Sequence, residues 1–147
     1  MSDSLQPKLP VLYWIIGVLL LLWGVLGVVM YLVEHLLSDE KYLEVYKERA
    51  MALRHEVPAW SIAGYAIGVW TGLAGAIALL LRKAVAVKLY WVSLVGAAIG
   101  WIWYVIDPRA LEIMSLDGGW YMAVIVFALC GFSIWWAGRQ KKMGRIS

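Results

Sequence analysis

The chain is poor in the residues from which active sites are made. It holds one cysteine and two histidines in 147 residues. One thiol excludes an intrachain disulfide and a cysteine cluster for a metal. Cys130 falls in the middle of the last apolar run, where a small apolar-facing thiol is the plain reading. Two histidines without cysteine support argue against zinc and haem, although two histidines can in principle ligate one haem; neither metal nor cofactor is expected. G-x-S-x-G, H-E-x-x-H, the phosphate loop and the dinucleotide fingerprint are all missing. No catalytic residue is nominated, and an enzyme is not expected.

Charge is scarce as well. Only 16% of residues are charged and 63% are hydrophobic, against about a quarter charged in soluble domains. The formal +3 comes from short basic blocks flanking apolar runs, which argues against nucleic acid as a partner. From Leu9 to Val33 there is no charged side chain at all. A charge near the bilayer centre costs several kcal/mol, so long uncharged runs mark membrane spans.

Four runs reach the roughly 20 residues a spanning helix needs. They cover about 11–37, 59–81, 86–106 and 120–137. The expected fold is therefore all-α, a single-domain four-helix transmembrane bundle. The first run is too long for a signal peptide and lacks a cleavage site after it, so it reads as an uncleaved span. The turn "RKAVAVK" and the tail "GRQKKMGRIS" carry only basic charge, whereas the other two connections are mixed or acidic. The positive-inside rule then places both termini in the cytoplasm. Pairs such as Tyr13 with Trp14 and Trp120 with Tyr121 fit the aromatic belts of the two interfaces.

Small residues indicate how the helices meet, because lipid gives apolar helices no hydrophobic reason to touch. Gly64, Gly68 and Gly72 repeat every four residues in the second span, and Gly96 and Gly100 do so in the third. In the first, Gly17, Gly24 and Tyr31 interleave with Leu20, Gly27 and Glu34 along one stripe. These glycines pack helices within one chain or, less readily, form an oligomer face. Between spans 1 and 2, residues 38–57 contain neither glycine nor proline, and Leu43, Tyr46, Ala50, Leu53 and Val57 recur at helical spacing. One amphipathic external helix is expected there, lying in the interface, capping the bundle or prolonging the first span outward, with a partner-binding face as the rival. The second external loop is expected to hold one short helical turn from Pro108.

Two groups are candidate sites. Glu34, His35, His55, Glu56 and Asp107 form a candidate polar cluster at the outer boundary, with Glu34 facing into the bundle and His35 turned about 100° away. Such a cluster is either a headgroup-level polar layer or a proton-linked or cation-binding pocket. Trp23, Tyr31 and Trp70 form a candidate aromatic pocket, although large rings at mid-membrane more often fill the grooves that glycines leave.

"LLWGVLGVVMYL" and "VPAWSIAGYAIGVWTGLAGAIALLLRKAVAVKLYWVSLVG" resemble a family of short four-span bacterial inner-membrane proteins that often carry the label "sugar transporter". The resemblance runs from Trp14 to about Gly100. It rests on Trp23, Gly27, Tyr31, Pro58, Trp60, the Leu81–Arg82–Lys83 end, Ala86 and Ser93. Gly24 and Met30 depart from its pattern, where a polar residue and an acid are usual. The resemblance thus implies the architecture and a bacterial inner-membrane address more than any transport chemistry.

The expected role is a non-enzymatic accessory or oligomeric bundle protein, with membrane lipid and a homo-oligomer or larger membrane complex as partners. The alternative is a small transporter or channel for a small solute, proton-linked through Glu34 and His35. A membrane enzyme using Glu34, His35 and Asp107 ranks last.

Overall fold

The computed structural model describes residues 7–147. The first six residues, part of the segment expected in the cytoplasm, lie outside the described part. The fold is all-α, with no strand among the described residues. Four long helices make the bundle: α1 (Val11–Leu36), α4 (Ala59–Leu80), α5 (Val85–Ile106) and α7 (Gly119–Lys142). Each is long and apolar enough to cross a membrane. At 1.5 Å per residue, about 22 residues reach roughly 33 Å, against a hydrocarbon core of about 30 Å. Three short helices, α2 (Asp39–Val45), α3 (Glu48–Arg54) and α6 (Pro108–Leu116), cover one end.

The α4–α5 pair is the spine. A Cβ on Gly96 would lie 2.6 Å from the Gly68 nitrogen, and one on Gly64 would lie 2.7 Å from the Gly100 nitrogen. Only glycine allows backbones this close. Ser61 donates to the Gly100 carbonyl at 2.8 Å, and Ser93 donates to the Gly68 carbonyl at 2.7 Å. Both hydroxyls thus tie the two helices together. α1 lies along α4, with Gly24 over Leu73 and Gly27 over Val69. α7 rests on α5, and the extensive packings therefore run α1–α4–α5–α7 in series.

The basic end is closed. Tyr13 donates to the Leu79 carbonyl. Around them Trp136, Ala137 and Ile146 complete a buried cluster. Arg82 sits at φ 60°, a position where glycine is usual after a helix. The C-terminal tail grips it: Ser147 donates from its backbone to the Arg82 carbonyl at 3.0 Å, and Arg82 Nε donates to the Arg145 carbonyl at 3.1 Å.

Three expectations change at the ends of the elements. The external helix is broken in two, with Tyr46 and Lys47 both extended (ψ 158° and 155°). A straight 20-residue rod would project about 30 Å, whereas the break folds the segment back over the bundle. Its buried stripe also shifts: Tyr42 is 7% exposed, while Leu43 is 45% exposed. The second loop holds a nine-residue helix rather than one turn. Asp107 caps it by accepting from the backbone of Arg109 and Ala110, and Pro108 is pre-set for the first helical position. α7 continues past Ala137 to Lys142, since polar residues end the apolar run but not the helix. Its last-turn cations favour the helix dipole.

Candidate functional site

Beneath the cover lies a cavity of about 670 Å³. It exists because the long helices pack in series: α1 and α7 form opposite walls, and glycines leave room between them. Trp23, Gly27, Met30 and Glu34 line it from α1, and Met122, Val126 and Cys130 from α7. Ser61, Tyr65 and Gly68 of α4, with Ser93, Ala97 and Tyr104 of α5, form the back. Tyr42, Tyr46, Leu53 and Arg54 close the top. Leu20, Tyr90 and Ser133 form the floor. The lining is mostly apolar with few polar groups, the usual character of a small-molecule site.

Two acids line the cavity, Glu34 from α1 and Asp117 at the end of α6. Tyr46 donates to Glu34 across a long 3.4 Å bond. Burial, then the nearby Glu34 carboxylate, raise the Tyr46 hydroxyl above the ordinary phenol range, so it remains a donor. Tyr42 is raised chiefly by burial too, with Arg54 opposing. The two rings stack with centroids 4.5 Å apart. Arg54 holds this corner together. Its guanidinium donates to the Leu37 carbonyl at 2.5 Å and to Asp39 at 3.0 Å, and lies 4.4 Å from the centre of the Tyr42 ring.

Of the other members of the expected polar cluster, His35 and His55 line the same cavity as Glu34, and Glu56 and Asp107 do not. His35 donates from Nδ1 to the Tyr31 carbonyl at 2.7 Å, and its ring lies tilted against the Tyr31 ring with centroids 4.4 Å apart. His55 pairs with Asp39 at 3.3 Å, and Glu56 pairs with Arg109. Asp107 is occupied as the cap of α6. Among the described residues no group of acids, histidines or cysteines has metal-holding geometry.

The expected aromatic pocket also divides. Trp23 lines the cavity. Tyr31 meets Tyr65 edge-on at 5.3 Å. Trp70 is 48% exposed on the outside of the bundle, so it shares no site with Trp23. Gly24, Gly27, Gly64, Gly68, Gly72, Gly96 and Gly100 all face neighbouring helices within the chain.

Sequence reasoning did not place Tyr42, Arg54, Tyr65, Tyr104 or Cys130 together. The available signal was the concentration of tyrosines near the same end as Glu34, which reads equally well as an interfacial belt. Together these features define a four-span helical membrane protein with a covered internal cavity. No family model, no curated protein and no solved structure matches the chain.

Proposed function

We propose that the chain is a non-enzymatic binding and transport protein of the bacterial inner membrane. It takes a small, mainly apolar molecule into the cavity between α1 and α7 and anchors it at Glu34. The observation that carries this reading is the cavity itself, apolar in most of its wall and closed over by Tyr42, Tyr46 and Arg54. The lipid side is the natural entrance, because α1 and α7 are each packed on a different partner, α4 and α5. Sidedness follows from charge: the basic turn and tail face the cytoplasm and the cover faces outward. An accessory or oligomeric role draws less support, because the glycine faces that would serve it are filled inside the chain.

Photolabelling in lipid nanodiscs with 3-trifluoromethyl-3-phenyldiazirine, a small apolar reagent, tests this. Adducts are expected at Met30, Tyr65 and Cys130 as well as on the outer face. Val126→Trp, which places a ring in the cavity, is expected to reduce the inner adducts several-fold while leaving those at Trp91 and Trp135 unchanged. Labelling confined to the outer face in both proteins would refute the reading.

A further inference from the structure

We infer that the ligand of this cavity is a lipophilic organic cation, with its positive centre against Glu34 and its apolar body between α1 and α7. The inference rests on the binding role proposed above and adds the chemical class of the occupant.

Charge pairing at the covered end points to it. Asp39 is held by Arg54 and His55, and Glu56 by Arg109. Asp117 is within 3.2 Å of Lys47 and 3.9 Å of Arg49. Asp107 accepts two backbone N–H groups of α6. Of these acids Glu34 and Asp117 line the cavity; Asp117 is paired, whereas among the described residues no cationic side chain comes within 4.0 Å of Glu34. Arg54 lines the same cavity, yet its guanidinium is committed to Leu37, Asp39 and the Tyr42 ring. A partly buried carboxylate without a cationic partner offers a counter-charge to a cation supplied from outside.

The surroundings narrow the kind of cation. Tyr46, Tyr65 and Tyr104 line the same end of the cavity as Glu34, and aromatic faces attract organic cations strongly when water is excluded. A bare metal ion would need several oxygen, nitrogen or sulfur ligands, and no such group is assembled among the described residues. A sugar would need many hydrogen-bond partners. The serines that line the cavity already donate within the chain: Ser61 to Gly100, Ser93 to Gly68 and Ser133 to Leu129. One cationic centre on an apolar body needs only Glu34 and the rings, and leaves the mostly apolar wall to the rest of the ligand. An anion would meet Glu34 with the wrong sign.

The test uses three molecules of similar shape: tetraphenylphosphonium, tetraphenylborate and neutral triphenylphosphine oxide. Each is titrated by equilibrium dialysis into the full chain in dodecyl maltoside, with empty micelles subtracted. The phosphonium is expected to bind at least tenfold more tightly to the native protein than to Glu34→Gln. Glu34→Asp is expected to recover part of the difference, and tetraphenylborate to gain nothing from Glu34. Size-exclusion profiles matching the native protein establish that the variants are folded. If all three molecules bind native protein and Glu34→Gln alike, and Val126→Trp abolishes that binding, the cavity stands and the cationic specificity is overturned. If none binds, both the specificity and the binding role fail.

Discussion

A methyl group on Gly96 would meet the Gly68 nitrogen at 2.6 Å, yet nothing lies within 4 Å of one built on Gly131 or Gly138. These glycines share a chemistry and differ in consequence. Gly96→Ala and Gly64→Ala force two backbones apart, and overpacking of this kind costs about 1–3 kcal/mol. Gly131→Ala and Gly138→Ala leave the packing untouched and favour the helix by up to roughly 1 kcal/mol. Thermal unfolding in detergent, followed by the loss of the monodisperse peak, should separate the pairs. The first pair is expected to melt well below the native protein and the second at or above it. Equal melting of all four variants would mean that α4 and α5 are not in contact as described. At this scale the sequence was informative where spacing alone decides the face: the inward stripe of Gly17, Gly24 and Glu34 follows from helical periodicity. It was uninformative for Asp107, whose role as a cap depends on the helix that follows it. Trp70 was equally opaque, since its direction depends on which neighbours α4 acquires.

The helices differ in how firmly they are held. α4 and α5 share glycine contacts and two serine-to-carbonyl bonds. α2 and α3 are seven residues each, too short to persist alone in water. They are fastened by the burial of Tyr42 and of Leu53, the latter against Trp103 and Ala110, by Arg54, and by the exposed pairs of Lys47 and Arg49 with Asp117 and of Glu56 with Arg109. Lys47 is 72% and Arg109 68% exposed, and exposed pairs contribute only about 0.2–1 kcal/mol. The cover is therefore the more mobile part, while the spine keeps its shape. Amide hydrogen exchange in nanodiscs should show α2 and α3 exchanging fastest and the glycine-lined stretch of α4 and α5 slowest. Raised salt is expected to speed the cover selectively. Protection of α2 equal to that of α5 would contradict this division. The spans were legible because apolar length and charged boundaries define them: α4 was expected over 59–81 and runs Ala59–Leu80. The break at Tyr46 was not legible, because nothing local demands it. It follows from Tyr42 and Tyr46 turning inward beside Glu34, a contact the chain acquires only after α1 and the cover have met.

The molecule as a whole is a bundle closed at its basic end and hollow beneath its cover. Tyr13, Leu79, Trp136 and Ile146 fill the closed end, while some 670 Å³ remains open toward the other. Four spans put both ends of the chain on the basic side, and the proposed orientation sets the cover outside the membrane. The cavity could not be read from the sequence, since it arises from the serial packing order α1–α4–α5–α7 rather than from any one segment. A crystal structure grown in a lipid mesophase with tetraphenylarsonium tests it most directly, because arsenic scatters anomalously and marks its own position. An arsenic peak inside the cavity, beside Glu34 and near the rings of Tyr65 and Tyr104, is the expected result. A filled space between α1 and α7, or arsenic found only outside the bundle, would contradict the account.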